Sequence, residues 1–293
     1  MRTISLTVAV AFTAAGTMFV PATAQVGTAQ AGTAQAGTAQ AGTASRYDHI
    51  VVVVEENHAH SDIIGSSSAP YLTALAAGGA TMTQSYAVTH PSQPNYLALF
   101  SGATQGVSSD SCPHTFAAEN LGHQLINAGQ SFAGYSETMP SDGYTGCSSG
   151  RYVRKHNPWV NFSNLPATSN LRLTAFPSDL TLLPRLAFVI PNLCNDMHDC
   201  PVSTGDTWLR NTLGGYATWA TTHNSLLVVT FDEDDSSEGN RIPTIFYGAG
   251  VVPGSYAEPV THYTVLRTLQ SLTGLGCVAN SCQVSPITDI WTS

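Results

Sequence analysis

Two acidic stretches each follow an apolar run. Glu55-Glu56-Asn57 ends the β-branched run Ile50 to Val54, and Asp232-Glu233-Asp234-Asp235 ends the run Leu226 to Phe231. Carboxylates in succession repel one another, and a hard divalent cation with oxygen ligands removes the repulsion. A solvated acidic loop is the plainer reading of each stretch taken alone. Between them lies Thr89-His90-Pro91-Ser92-Gln93-Pro94-Asn95-Tyr96, followed by the apolar stretch Leu97 to Phe100. This spacing puts Ser92 at a helix start, where free N–H groups and the helix dipole favour an anion or an alkoxide. Ser92 is therefore a candidate nucleophile with a metal to lower its pKa, or else a plain N-cap serine.

The formal net charge is −9 and only 10% of residues are charged. Nothing in the chain makes the basic face that a nucleic-acid partner requires. Arg154-Lys155-His156 is the tight basic cluster in this acidic chain. Lys155 and His156 are candidates to grip a phosphate, with a solvated turn as the alternative. His198, in Asn195-Asp196-Met197-His198-Asp199, is a candidate acid for a leaving alcohol or a metal ligand. His262 precedes the last helical stretch and is either catalytic or only a helix-start residue. His90 is given no role. The remaining histidines, His49, His58, His60, His114, His123 and His223, are read as structural or surface.

The elements that must position these groups alternate in type. Strand-like runs are expected at Ile50 to Val54, Met82 to Val88, Phe132 to Tyr135, Leu186 to Ile190, Leu226 to Phe231 and Ile242 to Tyr247. Helical stretches are expected at Pro70 to Ala77, Asn120 to Ala128, around Trp208 to Trp219, and at Val265 to Leu272. Strands buried on both faces alternating with helices predict an α/β three-layer sandwich with a mostly parallel central sheet. In such sheets ligands bind beyond the carboxyl ends of the strands, where both acidic stretches fall. The segment from Ser136 to Asp179, rich in Pro, Ser and Asn, is expected to be an insertion or lid within the one domain.

Arg2, the apolar stretch Ile4 to Val20 and Ala22-Thr23-Ala24 predict a cleaved signal peptide over residues 1–24. Residues 25–45 carry a repeat of Gln-Ala-Gly-Thr-Ala type with almost nothing to bury, which predicts a disordered tether. The domain is expected over residues 46–293, secreted and without a transmembrane segment. Six cysteines suit an oxidising compartment. Closing short loops costs little entropy, which favours Cys194–Cys200 and Cys277–Cys282 and leaves Cys112–Cys147. A zinc site at Cys194, Cys200 and His198 is the alternative to the first pair.

Several motifs then occur in a set order: EEN after a Val-rich strand, SQPN with LFSG and Gln105-Gly106-Val107, TFDED after LLVV, and THYTVLRTL near the C-terminus. Together they resemble the bacterial phosphoesterase family, which includes phospholipases C and acid phosphatases and belongs to the alkaline-phosphatase-like superfamily. The resemblance implies an alkaline-phosphatase-like fold and a divalent metal cation as cofactor. It implies Glu56, Asn57, Asp232 and Glu233 as metal ligands, Ser92 as nucleophile, and His198 and His262 in the active site. It further implies a secreted acid phosphatase that acts through a phosphoserine on a small phosphomonoester or a phosphoinositide headgroup. Phospholipases C of the family carry a Gly-rich stretch after Asp-Glu, where Asp234-Asp235-Ser236-Ser237 stands here. That departure weighs against a phospholipase C-type phosphodiesterase. A non-catalytic secreted metal-binding protein is the alternative of a different class.

Overall fold

The computed structural model describes residues 46–292 and, before them, Ala9. The expected signal peptide and repeat tether thus lie outside the described residues, Ala9 apart. In chain order the first half holds β1 (His49–Glu55), α1 (His60–Ile63), α2 (Pro70–Gly78), β2 (Ala80–Tyr86), α3 (Ser92–Ser101), α4 (Leu121–Asn127) and β3 (Phe132–Ser136). A small antiparallel pair follows, β4 (Ser148–Ser149) and β5 (Tyr152–Val153), then β6 (Asn170–Arg172) and β7 (Leu186–Ile190). The last part holds α5 (Val202–Ala220), β8 (Ser225–Phe231), β9 (Thr244–Gly248), β10 (Gly254–Thr261) and α6 (His262–Leu272).

Eight strands form one sheet in the order β10-β2-β9-β8-β1-β7-β3-β6. β9 runs antiparallel to both its neighbours, and the other pairings are parallel. Strand β1 is central and buried on both faces, as its unbroken β-branched run requires. Its side chains alternate between two cores. Ile50, Val52 and Val54 pack with Leu97, Phe100, Leu125 and Leu266 of α3, α4 and α6. Val51 and Val53 pack with Leu72, Leu209, Leu213 and Tyr216 of α2 and α5. The result is the α/β three-layer arrangement that the alternation of elements predicts.

The segment from Ser136 to Asp179 is an insertion between β3 and β7 that packs into the domain. Tyr152, Arg154, His156 and Trp159 within it are buried, and β6 extends the main sheet by pairing with β3. Polar composition hid this, because the segment orders itself through side-chain bonds rather than apolar periodicity. Arg154 alone donates to Asn161 and to the carbonyls of Thr145, His114 and Val160. Trp159 lies flat against β3 at Gly134, where a Cβ would come within 2.1 Å of the indole. All six cysteines are paired, as Cys112–Cys147, Cys194–Cys200 and Cys277–Cys282. The pairing excludes the zinc alternative at Cys194 and Cys200. Among the described residues, no helix is long and apolar enough to cross a membrane.

Candidate active site

Strand register brings the two acidic stretches together. Glu55 pairs with Phe231 across β1 and β8, so Glu56 and Asp232 occupy the next rung. Both continue the alternation of Val54 and Val228, which places them on the α3 face. Glu55 falls on the opposite face, buried, with its charge neighbours Asp196, Glu137 and Asp206. The backbone then turns at Asn57, whose φ of 53° is the left-handed conformation that Asn tolerates better than most residues. The Asn57 N–H donates to Asp232 Oδ1 at 3.1 Å.

Ser92 is the first residue of α3, a helix whose ten residues are all buried. Pro94, at the third position, lacks only an N–H that the first turn leaves unused. Ser92 Oγ lies 3.1 Å from Glu56 Oε2 and 3.4 Å from Glu233 Oε1. Asn95 and Tyr96, three and four residues on, share its helix face. Tyr96 donates to Glu56 Oε1 at 2.5 Å, and Asn95 Nδ2 donates to Glu233 Oε2 at 3.2 Å. Asn95 also ties the preceding loop down by accepting the N–H groups of Val88 and Thr89.

His156 is fully buried. Its Nε2 is 3.1 Å from Glu56 Oε1 and its Nδ1 is 3.4 Å from Asp196 Oδ2, and its ring stacks on Tyr96 at 5.1 Å. Neither nitrogen has hydrogen-bond geometry. A fully buried ring facing two carboxylates is badly placed to hold phosphate from the outside, and Lys155 is the more open of the expected pair. Lys155 Nζ donates to Asp110 Oδ2 at 2.7 Å. His262 is buried, its Nε2–H donating to the backbone carbonyl of Asp232 at 2.7 Å. Burial lowers its pKa to about 4, so the ring is neutral, with Nδ1 unpartnered. His198 is partly exposed, its Nδ1 2.8 Å from Asp199 Oδ1 and its ring 6.2 Å from that of His156.

Burial dominates the electrostatics. It pushes Asp232 up to about 8, helped by the Glu233 charge, and Glu233 up to about 7, helped by Asp110. It raises Asp196 to about 7 and Glu56 well above the usual carboxylate range, the latter with help from Asp232 and Asp196. Burial alone would lower Lys155, but the Asp110 hydrogen bond and the Glu56 charge overcome it and raise the ammonium pKa.

These residues fit a cation. Asn57 Oδ1, Asp232 Oδ2, Asp196 Oδ2 and His262 Nδ1 are buried without a hydrogen-bond partner, a costly state that a bound cation relieves. Among the described residues, Glu56, His156 and Asp196 form a buried group whose ligand atoms lie within 4.8 Å of one another and could hold a metal. Expected ligands and nucleophile therefore converge, and five further residues join them. Asn95 and Tyr96 were legible from helical spacing off Ser92, and Asp196 from its place beside His198. His90, 3.1 Å from Glu233 and 3.2 Å from Asp234, was legible only as a neighbour of Ser92. Asp110 gave no signal.

The sequence model of the phosphoesterase family matches residues 65–276. The chain is 52% identical to a phosphatidylinositol-3-phosphatase of Mycobacterium tuberculosis, over 84% of this chain and 83% of that one. It is 33% identical to an acid phosphatase of Aspergillus fumigatus, over 69% of this chain but only 50% of the fungal one. A solved protein of the alkaline phosphatase superfamily from Vibrio parahaemolyticus shares the fold, with a TM-score of 0.56 at 13% identity over 84% of this chain and 72% of that one.

Proposed function

The chain belongs to the phosphoesterase family and is a phosphoric ester hydrolase, and from this premise we propose that it is a secreted phosphatase that uses Ser92 as nucleophile. The observation that carries the reading is the position of Ser92 Oγ between Glu56 and Glu233 at the start of a buried helix. Ser92 Oγ attacks phosphorus as the bond to the alcohol oxygen breaks, leaving a phosphoserine. Water then attacks the same phosphorus, breaks the Oγ–P bond and releases inorganic phosphate. Glu56, Asn57, Asp232 and Glu233 would hold a divalent cation, with His156 and Asp196 on the flank of Glu56. Bound there, such a cation supplies Lewis-acid stabilisation of an alkoxide and of phosphoryl charge.

The chain's own residues supply the rest. Tyr96 and Asn95 fix the two carboxylates that face Ser92. Lys155 binds a non-bridging oxygen as a charged donor. His198, the more open of the two histidines, delivers the proton to the leaving alcohol. His262 is neutral and offers a lone pair instead, so its part is to brace the Asp232 turn and face the cation.

The substrate we propose is a phosphomonoester, including the 3-phosphate of an inositol lipid, which rests on the identity to the mycobacterial enzyme. Three disulfides suit a secreted protein. Purified protein should release inorganic phosphate from p-nitrophenyl phosphate and phosphatidylinositol 3-phosphate and leave phosphatidylcholine intact. Phosphocholine release from phosphatidylcholine would make it a phospholipase C instead. No turnover of any ester would leave a metal-binding protein.

A further inference from the structure

We propose that Asp110 is a positioning residue for phosphoryl transfer, its one carboxylate holding the amide of Gln93 and the ammonium of Lys155 together beside Ser92. This rests on the proposed function. Asp110 Oδ1 accepts the Gln93 N–H at 2.9 Å, and Oδ2 accepts Lys155 Nζ at 2.7 Å. Gln93 follows the nucleophile and sits in the first turn of α3, so its N–H is a donor that the helix cannot use itself. Lys155 is the only lysine in the 293-residue sequence.

Two features show that the bridge is built into the fold. Asp110 lies on the long connection between α3 and α4, which has no regular structure to hold it. The connection is instead fastened just after Asp110 to the segment that leads into Lys155. Cys112, two residues after Asp110, is bonded to Cys147. Arg154, next to Lys155, donates its N–H to the Cys147 carbonyl at 2.9 Å and its side chain to the His114 carbonyl at 2.7 Å.

The bridge also answers an electrostatic problem. Lys155 feels the charges of Glu56 and Asp232 as well as that of Asp110. A flexible ammonium beside such a cluster would fall into it and occupy the carboxylates that face Ser92. Asp110 draws it the other way and keeps it where a phosphate oxygen arrives. The second hydrogen bond, from the Gln93 backbone amide, argues against the opposite role, in which Asp110 would be an internal anion that phosphate must displace.

The test uses the full chain with Asp110→Asn, Lys155→Ala and the double variant. With p-nitrophenyl phosphate, Asp110→Asn should raise KM about tenfold, the loss expected for a charged hydrogen bond, with kcat changed far less. The inhibition constant of inorganic phosphate should rise by the same factor. In a Lys155→Ala background, Asp110→Asn should add little, because the two act as a unit. A second readout needs no turnover. Amine acetylation of the lone lysine, followed on the Lys155 peptide by mass spectrometry, should run slower in Asp110→Asn than in wild type, because the released ammonium turns into the buried Glu56 and Asp232 carboxylates. Run on Ser92→Ala, it tests Asp110 even if Ser92 proves not to be the nucleophile. Asp110→Glu keeps the charge and should lose less on each readout, and it carries the test with the same signs if Asp110→Asn fails to fold. Tighter phosphate inhibition in Asp110→Asn, unchanged or faster acetylation, or losses that multiply in the double variant would each overturn the proposal.

Discussion

Ser92 Oγ and Glu56 Oε2 stand 3.1 Å apart although 36 residues separate them in the chain. The contact joins a helix start to a strand end, the two places in an α/β fold where free N–H groups and carboxylates collect. Tyr96, one helical turn past Ser92, takes the other oxygen of the same carboxylate. Ser92 and Glu56 are thus fixed by one helix face against one strand rung.

Asp232→Asn removes a charge from that rung and should lose bound metal and activity together. Elemental analysis of the purified variant beside wild type checks this. Metal retained at the wild-type ratio with activity lost would take Asp232 out of the ligand set.

The acid cluster makes stability depend on pH. Burial raises Asp232 to about 8, and Glu233 and Asp196 to about 7. In the unfolded chain such groups titrate near pH 4. Between these values the folded, metal-free protein keeps protons that the unfolded chain has released. The stabilisation from these groups is therefore complete below about pH 4 and is lost as pH rises through 7 to 8. Metal-stripped protein should melt at a lower temperature at pH 8 than at pH 5. A divalent cation competes with those protons, so its addition should raise the melting temperature more at pH 8 than at pH 5. Calorimetry with and without a chelator measures both, and a metal-free melting temperature that rises over this interval would contradict the account.

The Cys112–Cys147 bond spans 35 residues and holds the loop that faces Lys155. On the chain-entropy model its loss costs about 4 kcal/mol. Replacing both cysteines by alanine should lower unfolding stability by about that amount and raise KM more than kcat falls. Unchanged KM in a folded double variant would separate the disulfide from the site.

The sheet was legible where burial is two-sided. The β-branched run of β1 and the apolar run of β8 left few alternatives, and their acidic ends pointed to one edge. Ser92 was legible from the Pro-flanked helix start. β10 was not, because an edge strand with an exposed face, Gly254-Ser255-Tyr256-Ala257-Glu258-Pro259, carries neither an apolar run nor many β-branched residues. His156 looked like part of a surface cluster because sequence does not reveal that Arg154 turns inward onto carbonyls and takes its neighbour with it. Asp110 was invisible for a related reason, since both its partners are set by tertiary contacts and a disulfide rather than by local spacing.

The most direct test of the central claim is to trap the phosphorylated enzyme. Wild-type protein is mixed with p-nitrophenyl phosphate, quenched in acid within the first turnovers, digested and sequenced by mass spectrometry. The account predicts a phosphate on Ser92, absent from Ser92→Ala, which folds normally and has lost nearly all turnover. Phosphate on a histidine, or a Ser92→Ala variant that keeps even a tenth of wild-type activity, would contradict it.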